Sequence, residues 1–471
     1  MYVFRDVESQ ILTDRVFPRE RSALLRSVCA IVLLTLCLAL GGSSREDVAG
    51  LLILYPGVIL IATIVLVSPG SFRWADFRTM TMVLSVIGFW MIVQLIPVPP
   101  AIWIQLPLRS EIAQGAELAG VPSVWRPISV VPDMTLASLA HLAIAIAVVV
   151  SLASMPRAAE QHYGPVLIGV GLLSALFGAA QVAGGPDSVF YLYNRGIDID
   201  TTGLFSNRNH HALLLTMMFP LTAAIVETKL ANRLGSGGRV LVTIAGSLFW
   251  LAMLLVAGSR AGLLMGLVAF ALSLALITKP FGHATIGGKR MRREALWAAT
   301  LLATILVFAV FRSSWSTLDR IVGVDPANEM RFRSLQVLFD MSTQFWLFGA
   351  GFGTFDPAYR FFEPDALLAE TYLNHAHNDV LELIITGGLL PTLAVFALVF
   401  HTARRSLALL RNGSNSVEAI YGRVASIFLL LIGIASLVDY PLRTPLITAI
   451  LIVAYGWLAS ASRGLPKKTL R

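Results

Sequence analysis

Apolar runs of bilayer length recur along most of this chain, and they constrain its fold more than any single motif does. Inside a hydrocarbon core of about 30 Å, only a helix or a closed barrel satisfies every backbone N–H and C=O without water, and a helix needs about 20 apolar residues to cross. At that length the sequence predicts about twelve spans, near 24–40, 48–67, 79–97, 135–155, 164–184, 209–227, 240–257, 261–278, 295–311, 380–402, 420–438 and 444–461. Composition excludes the soluble alternative: 14% of residues are charged, against about 25% in soluble globular domains. The expected fold is all-α and polytopic. A cytoplasmic arm at 1–23 precedes a transmembrane helical domain at 24–461 and a cytoplasmic tail at 462–471.

The first run follows Arg19, Arg21 and Arg26 in the manner of a signal peptide, but the many spans behind it make it most simply the first helix. Cys29 and Cys37 both fall inside it, so neither a disulfide framework nor a cysteine zinc site is expected. The net charge of +8 follows the membrane rather than a nucleic acid. With a cytoplasmic N-terminus, 24 of the 36 Lys and Arg fall on the cytoplasmic side, including all five lysines and the cluster Lys289, Arg290, Arg292, Arg293. The polar connectors at about 98–134, 185–208 and 312–379 are then extracytoplasmic, and that face keeps Arg without Lys. Arg there can pair with carboxylates, or its planar fork can bind phosphate oxygens in bidentate fashion.

Four constellations sit at the outer span ends. Gly258-Ser259-Arg260-Ala261-Gly262 is a tight turn that leaves Arg260 at the lip of the bilayer, as a snorkelling side chain or as a ligand for an anion. Gly203-Leu204-Phe205-Ser206-Asn207-Arg208-Asn209-His210-His211 enters the next span, with Asn207 or Asn209 a natural N-cap. From Met330-Arg331-Phe332-Arg333, Leu335, Leu338, Phe339, Ser342 and Trp346 recur at roughly helical spacing, which suggests a helix in the outer interface with its apolar face on the membrane. That helix ends at Gly349-Ala350-Gly351-Phe352-Gly353, which lacks the ending of a phosphate loop and is expected to be a turn returning the chain to the membrane.

Finally, Asn374-His375-Ala376-His377-Asn378-Asp379 closes the longest polar interval. His375 and His377 could ligate a metal, exchange a proton with a hydroxyl, or cap the next helix together with Asn378 and Asp379; no further ligands stand at a recognisable metal spacing.

In order and span context, the last three motif groups and the Ser259-Arg260 turn resemble the bacterial O-antigen ligase and polymerase superfamily over roughly residues 165–405. The resemblance implies a GT-C-like helical membrane glycosyltransferase with a long extracytoplasmic loop before the tenth helix. It implies transfer of a glycan from an undecaprenyl-pyrophosphate carrier to a lipid A core or growing polysaccharide, by an inverting route without a metal or other cofactor. Carried over by position, Arg260 and Arg331 bind the pyrophosphate and His377 is the essential His beside the acceptor. Asn207, Arg208, Asn209, Arg333, His375, Asn378 and Asp379 are expected to shape the substrate site. Ala261, Leu335 and Thr386 depart from the commoner pattern.

The implied partners are the carrier-linked oligosaccharide, the acceptor and lipids of the bacterial inner membrane, with no nucleic acid. Asp379 or Glu382 could replace His377 as base. Two other classes fit the span count: a lipid-linked glycan transporter or flippase, and a noncatalytic assembly subunit. Transporters place polar groups near the midplane, whereas here His141 and Gln181 are the few polar side chains inside spans.

Overall fold

The computed structural model describes residues 19–45, 48–121, 123–193, 201–276, 326–368 and 373–463. Its main helices are α1 (Arg19–Leu40), α2 (Gly50–Val67), α3 (Trp74–Leu95), α4 (Pro132–Ser154), α5 (Tyr163–Gly184), α6 (Arg208–Lys229), α7 (Ser236–Ala257), α8 (Arg260–Leu276), α9 (Pro326–Phe345), α10 (Asp379–Gly387), α11 (Leu389–Asn412), α12 (Val417–Ala435) and α13 (Pro445–Ser462). Among the described residues ten of these are long and apolar enough to cross a membrane, and α8 is apolar but shorter. The expected span at 295–311 and the basic cluster at 289–293 lie outside the described residues. The protein is an all-α, multi-pass membrane protein; one antiparallel pairing, Pro97 with Pro127 and Val98 with Arg126, is the small exception among the described residues.

The bundle is organised around α6 and α13, which are buried along most of their length. Both are rich in small residues where they meet neighbours: Ala212, Ala223 and Ala224 in α6, and Ala449, Ala454, Gly456, Ala459 and Ala461 in α13. Lipid tails are as apolar as Leu, so close backbone approach and dispersion, rather than escape from water, hold such helices together. Gly262 of α8 illustrates the point, because a Cβ there would collide with the Cβ of Ala212 on α6. The outer ring behaves oppositely. On α2, Leu52, Ile53, Ile59 and Leu60 are exposed, as a lipid-facing surface requires.

Connectors gather at two ends. At one, Gly42 donates to the Tyr193 hydroxyl and accepts from the Ser206 amide, Leu446 N–H bonds Gly41, and Asp379 N–H bonds Ser436. At the other, Asp76 is bridged by Arg73 and Arg157 at 3.1 and 2.7 Å, and Arg463 and Glu160 complete a largely buried ionic clasp.

Two expectations need correction. The apolar run at 380–402 is not one helix, because Gly388, at φ 75°, divides α10 from α11. A side chain at Gly388 would strike the carbonyl of Leu347, so this close backbone crossing admits only glycine. The Gly349–Gly353 run does not lead straight back to the membrane. Its amides pair with the end of α10, Ala350 to Ile385 and Gly351 to Thr386 at 2.8 and 3.1 Å, and the chain continues into a short helix at Phe355–Tyr359. Gln94 fixes this turn from α3, donating to the carbonyls of Phe348 and Thr386 and accepting from Phe352 N–H.

As expected, α9 has a helical period. Leu338, Met341 and Phe345 pack with Leu381 and Ile385 of α10 in a second core, while Phe339 and Trp346 are left exposed.

Candidate functional site

Four segments meet at the connector-rich end: the start of α6, the turn between α7 and α8, the loop 373–378 entering α10, and the connector 436–444 between α12 and α13. Asp439 of that connector meets the start of α6 and the loop directly, and the α7–α8 turn joins through Asn209. Asp439 is 3% exposed, and its Oδ2 accepts from Asn209 Nδ2 at 2.7 Å. Its Oδ1 accepts from Tyr440 N–H and lies 3.5 Å from His377 Nδ1 and 3.7 Å from His210 Nε2. Burial would raise the Asp439 pKa, but the two imidazoles outweigh it and hold the carboxyl well below the usual range. The carboxylate is therefore an anion at neutral pH.

His377 stands at φ 47°, the left-handed region that few non-glycine residues occupy. Strain of that kind persists only where surroundings over-determine it. Here they do: Ala376 N–H and His375 Nδ1 are both held by Glu382 at 3.0 Å, and Asn378 caps α10 by accepting from Val380 and Leu381 N–H. Asn378 Nδ2 also donates to Leu437 O at 2.9 Å, so this side chain locks the loop to the neighbouring connector. Tyr440 completes the frame, its ring centroid lying 4.3, 4.9 and 5.2 Å from those of His375, His377 and His210.

The two other carboxylates divide into different environments. Burial would raise Glu382, but Arg443, followed by His375, overcomes it and brings the pKa down to about 2. Asp379 is pushed up to about 6 by burial, with Arg443 offsetting part of the effect. It accepts from the Ser436 hydroxyl at 2.8 Å. Both sit on α10, which is too short to span.

Asn209 links this centre to Arg260. Its Oδ1 accepts from the Ser259 hydroxyl at 2.9 Å, and the same hydroxyl caps Gly262 N–H at 3.0 Å. Gly258, at φ 64°, closes α7 with a left-handed cap and lets α8 begin at once, so Arg260 opens that helix with its side chain exposed. Asn207 is the N-cap of α6, accepting from Asn209 N–H, and Arg208 follows half-buried in the first turn. His211 points away from the centre, into a hydrogen bond with Ser174 at 2.9 Å. Arg333 donates to Ala366 O at 2.7 Å. The backbone of Arg331 lies in α9, about two turns before the face that packs on α10; its side chain lies outside the described residues.

His377, His375, Asn209 and Asp379 are thus brought together, with Arg260 joined to them through Ser259. Asp439, Tyr440 and Arg443 were not anticipated from the sequence. Their signal was an acid and a guanidinium in the short connector between the last two spans, Asp439-Tyr440-Pro441-Leu442-Arg443. No group of three or more His, Cys, Asp or Glu among the described residues has the geometry of a metal site.

Chemically, a buried carboxylate beside Nδ1 selects the imidazole tautomer that carries its proton there. It leaves the lone pair on Nε2 and stabilises the imidazolium once that lone pair takes a proton.

The protein-family model for O-antigen ligase matches residues 245–397, which run from α7 through the turn at Arg260, α9 and the His375–His377 loop into α11. No curated protein matches the chain.

Proposed function

We propose that the protein, whose residues 245–397 match the O-antigen ligase family model, is a glycosyltransferase of surface polysaccharide assembly that moves a glycan from an undecaprenyl-pyrophosphate carrier to a hydroxyl of a lipid A core or growing polysaccharide. The observation that carries this reading is the Asp439–His377 pair at 3.5 Å, tied through Asn209 and Ser259 to the turn that presents Arg260. The connector-rich end faces the extracytoplasmic side of the inner membrane, and both termini are cytoplasmic.

The acceptor O–H attacks the anomeric carbon and passes its proton to His377 Nε2. The new C–O bond forms as the bond to the carrier pyrophosphate breaks, and the configuration inverts. Negative charge grows on the leaving phosphate oxygens, where Arg260 and Arg331 act. Fixed guanidiniums at a partly dry lip stabilise that charge more strongly than they would in water, without reorganising. The chemistry assigned to these residues needs no metal.

Glu382 is a poor rival base, since both of its oxygens already hold the loop. Asp379 keeps its place as the alternative base.

The test uses purified protein in proteoliposomes with carrier-linked oligosaccharide and acceptor, with Arg260→Ala, Arg331→Ala and His377→Ala. Release of free carrier pyrophosphate with product formation, lost in all three variants, is expected. Full transfer by the variants, or translocation of the intact lipid-linked glycan without bond cleavage, overturns the proposal.

A further inference from the structure

Two histidines stand side by side at the start of α6, and the structure treats them differently. Both are 1% exposed. His211 is used: its Nδ1 shares a hydrogen bond with the Ser174 hydroxyl at 2.9 Å, and that hydroxyl accepts from Leu204 N–H at 3.2 Å. It is a strut between α5 and the loop that enters α6.

His210 is not used in this way. Neither of its ring nitrogens has a hydrogen-bond partner among the described residues. Burying such a group is costly, whereas an apolar ring of the same size would fill the space and leave no polar atom unpaired. What the imidazole faces is Asp439. Its Nε2 lies 3.7 Å from Oδ1, the same oxygen that lies 3.5 Å from His377 Nδ1. Aromatic rings hold it there, Tyr440 edge to face at 5.2 Å and Phe205 at 6.2 Å.

Asp439 is thus one carboxylate shared by two imidazoles of different kinds. His377 stands on a loop with its side chain 15% exposed, whereas His210 stands in the first turn of a helix that is buried along most of its length. Only the first can meet an acceptor. The second can act on the reaction through the carboxylate alone. Burial works against ionisation of Asp439, and the two imidazoles offset it. A separation of 3.7 Å is longer than a formed hydrogen bond, and contacts between catalytic groups are often long before substrate binds and tighten in the loaded complex.

We propose that His210 is a positioning residue for transfer: it presents Nε2–H to Asp439 Oδ1 and so fixes that oxygen against His377 Nδ1, making a His–Asp–His row of what would otherwise be a His–Asp pair. The proposal rests on the transferase reading, in which His377 takes the hydroxyl proton at Nε2. His210 itself gains and loses no proton. As His377 becomes imidazolium, the carboxylate stays charged beside it, anchored by Asn209 on Oδ2 and by Tyr440 N–H and His210 on Oδ1. Asn209 and His210 both belong to α6, so one buried helix sets the carboxylate that the loop histidine uses.

The test is a double-mutant cycle in single-turnover transfer at saturating donor, with the full chain in proteoliposomes. His210→Phe keeps a buried ring and removes the N–H; it is expected to slow transfer about tenfold, the worth of a hydrogen bond to a charged group, with donor binding unchanged. His210→Gln, which can offer an amide N–H to the same oxygen, is expected to recover most of that loss, and it guards against a folding defect. In an Asp439→Asn background His210→Phe is expected to cost less than about twofold, because a residue that acts through the carboxylate then has nothing to act on. An equal loss in both backgrounds, a loss matched in donor binding, or full activity in His210→Phe overturns the proposal. A second readout needs no turnover. In nitrogen NMR of isotope-labelled histidine in nanodiscs, with the His377 signal identified by its disappearance in His377→Gln, the parent is expected to show the Nδ1–H tautomer and His210→Phe a mixture of tautomers. An unchanged His377 signal overturns the proposal even where no transfer is seen, whereas a parent that cleaves no carrier-linked glycan overturns the transferase reading.

Discussion

Asp439→Asn isolates the charge of the central carboxylate from its shape. The amide oxygen can still accept from Tyr440 N–H, at 2.9 Å in the parent, which places the new amide nitrogen against Asn209 Nδ2. Two donors would then meet across the 2.7 Å contact. Asn209 resolves the clash by turning its amide over, because its other partner, the Ser259 hydroxyl, can accept as readily as donate. The stability cost is thus about 1 kcal/mol, that of one weakened hydrogen bond.

The chemical cost is larger. A unit charge 3.5 Å from the imidazole contributes about 4–5 kcal/mol at an effective dielectric of about 20, so losing it weakens the imidazolium that forms as the hydroxyl is deprotonated. That corresponds to about three powers of ten in rate. Single-turnover transfer in proteoliposomes, at saturating donor, is expected to fall by about a thousandfold with donor binding unchanged. Activity within tenfold of the parent would refute the role given to this carboxylate, and so would a rate loss matched by an equal loss of donor binding.

Asp379, raised from 3.8 to about 6, binds a proton more tightly folded than unfolded, so it contributes stability below pH 4 that is lost as pH rises through 6, about 3 kcal/mol in all. Melting of the detergent-solubilised protein from pH 4 to 7 should show that decline, and Asp379→Asn should flatten it; an unchanged slope would contradict the assignment. Glu382, lowered from 4.5 to about 2, works in the opposite sense, with stability present above pH 4.5 and lost toward pH 2. Glu382→Gln should therefore release the His375–His377 loop, seen as faster amide exchange there. Gly258→Val would force a branched side chain into a left-handed cap at φ 64°, at a cost of roughly 1–2 kcal/mol; transfer should fall more than melting temperature, because the turn that presents Arg260 shifts. Gln94→Ala removes three hydrogen bonds from the Gly349–Gly353 turn and should destabilise the protein by about 2–4 kcal/mol, measured by thermal melting.

What the sequence disclosed follows from how local each signal is. Spans were legible because burial in lipid imposes a length and a composition on consecutive residues, and α1 through α8 fall close to the runs read from the chain. The caps were legible for the same reason: Asn207 and Asn378 each act on amides two or three residues away. The break at Gly388 was hidden, since its cause is the carbonyl of Leu347, some forty residues distant, and an apolar run looks the same whether or not another backbone crosses it.

The site shows this contrast most sharply. The residues that resemble a known family, Asn209, Arg260, His375 and His377, were found from their own neighbourhoods in sequence. Asp439 and Arg443 were not, because each draws its meaning from groups far away in the chain: Asn209 at 230 residues' separation for one, and the α10 carboxylates for the other. An acid and a guanidinium in a short connector between spans ordinarily solvate the helix ends. What changes their role is that three other segments converge on the same point, with a strained His377 there. The connector between the last two spans is therefore where mutation should separate rate from loop stability most cleanly: Asp439 stands beside His377, and Arg443 stands beside Asp379 and Glu382, the second of which holds the His375–His377 loop.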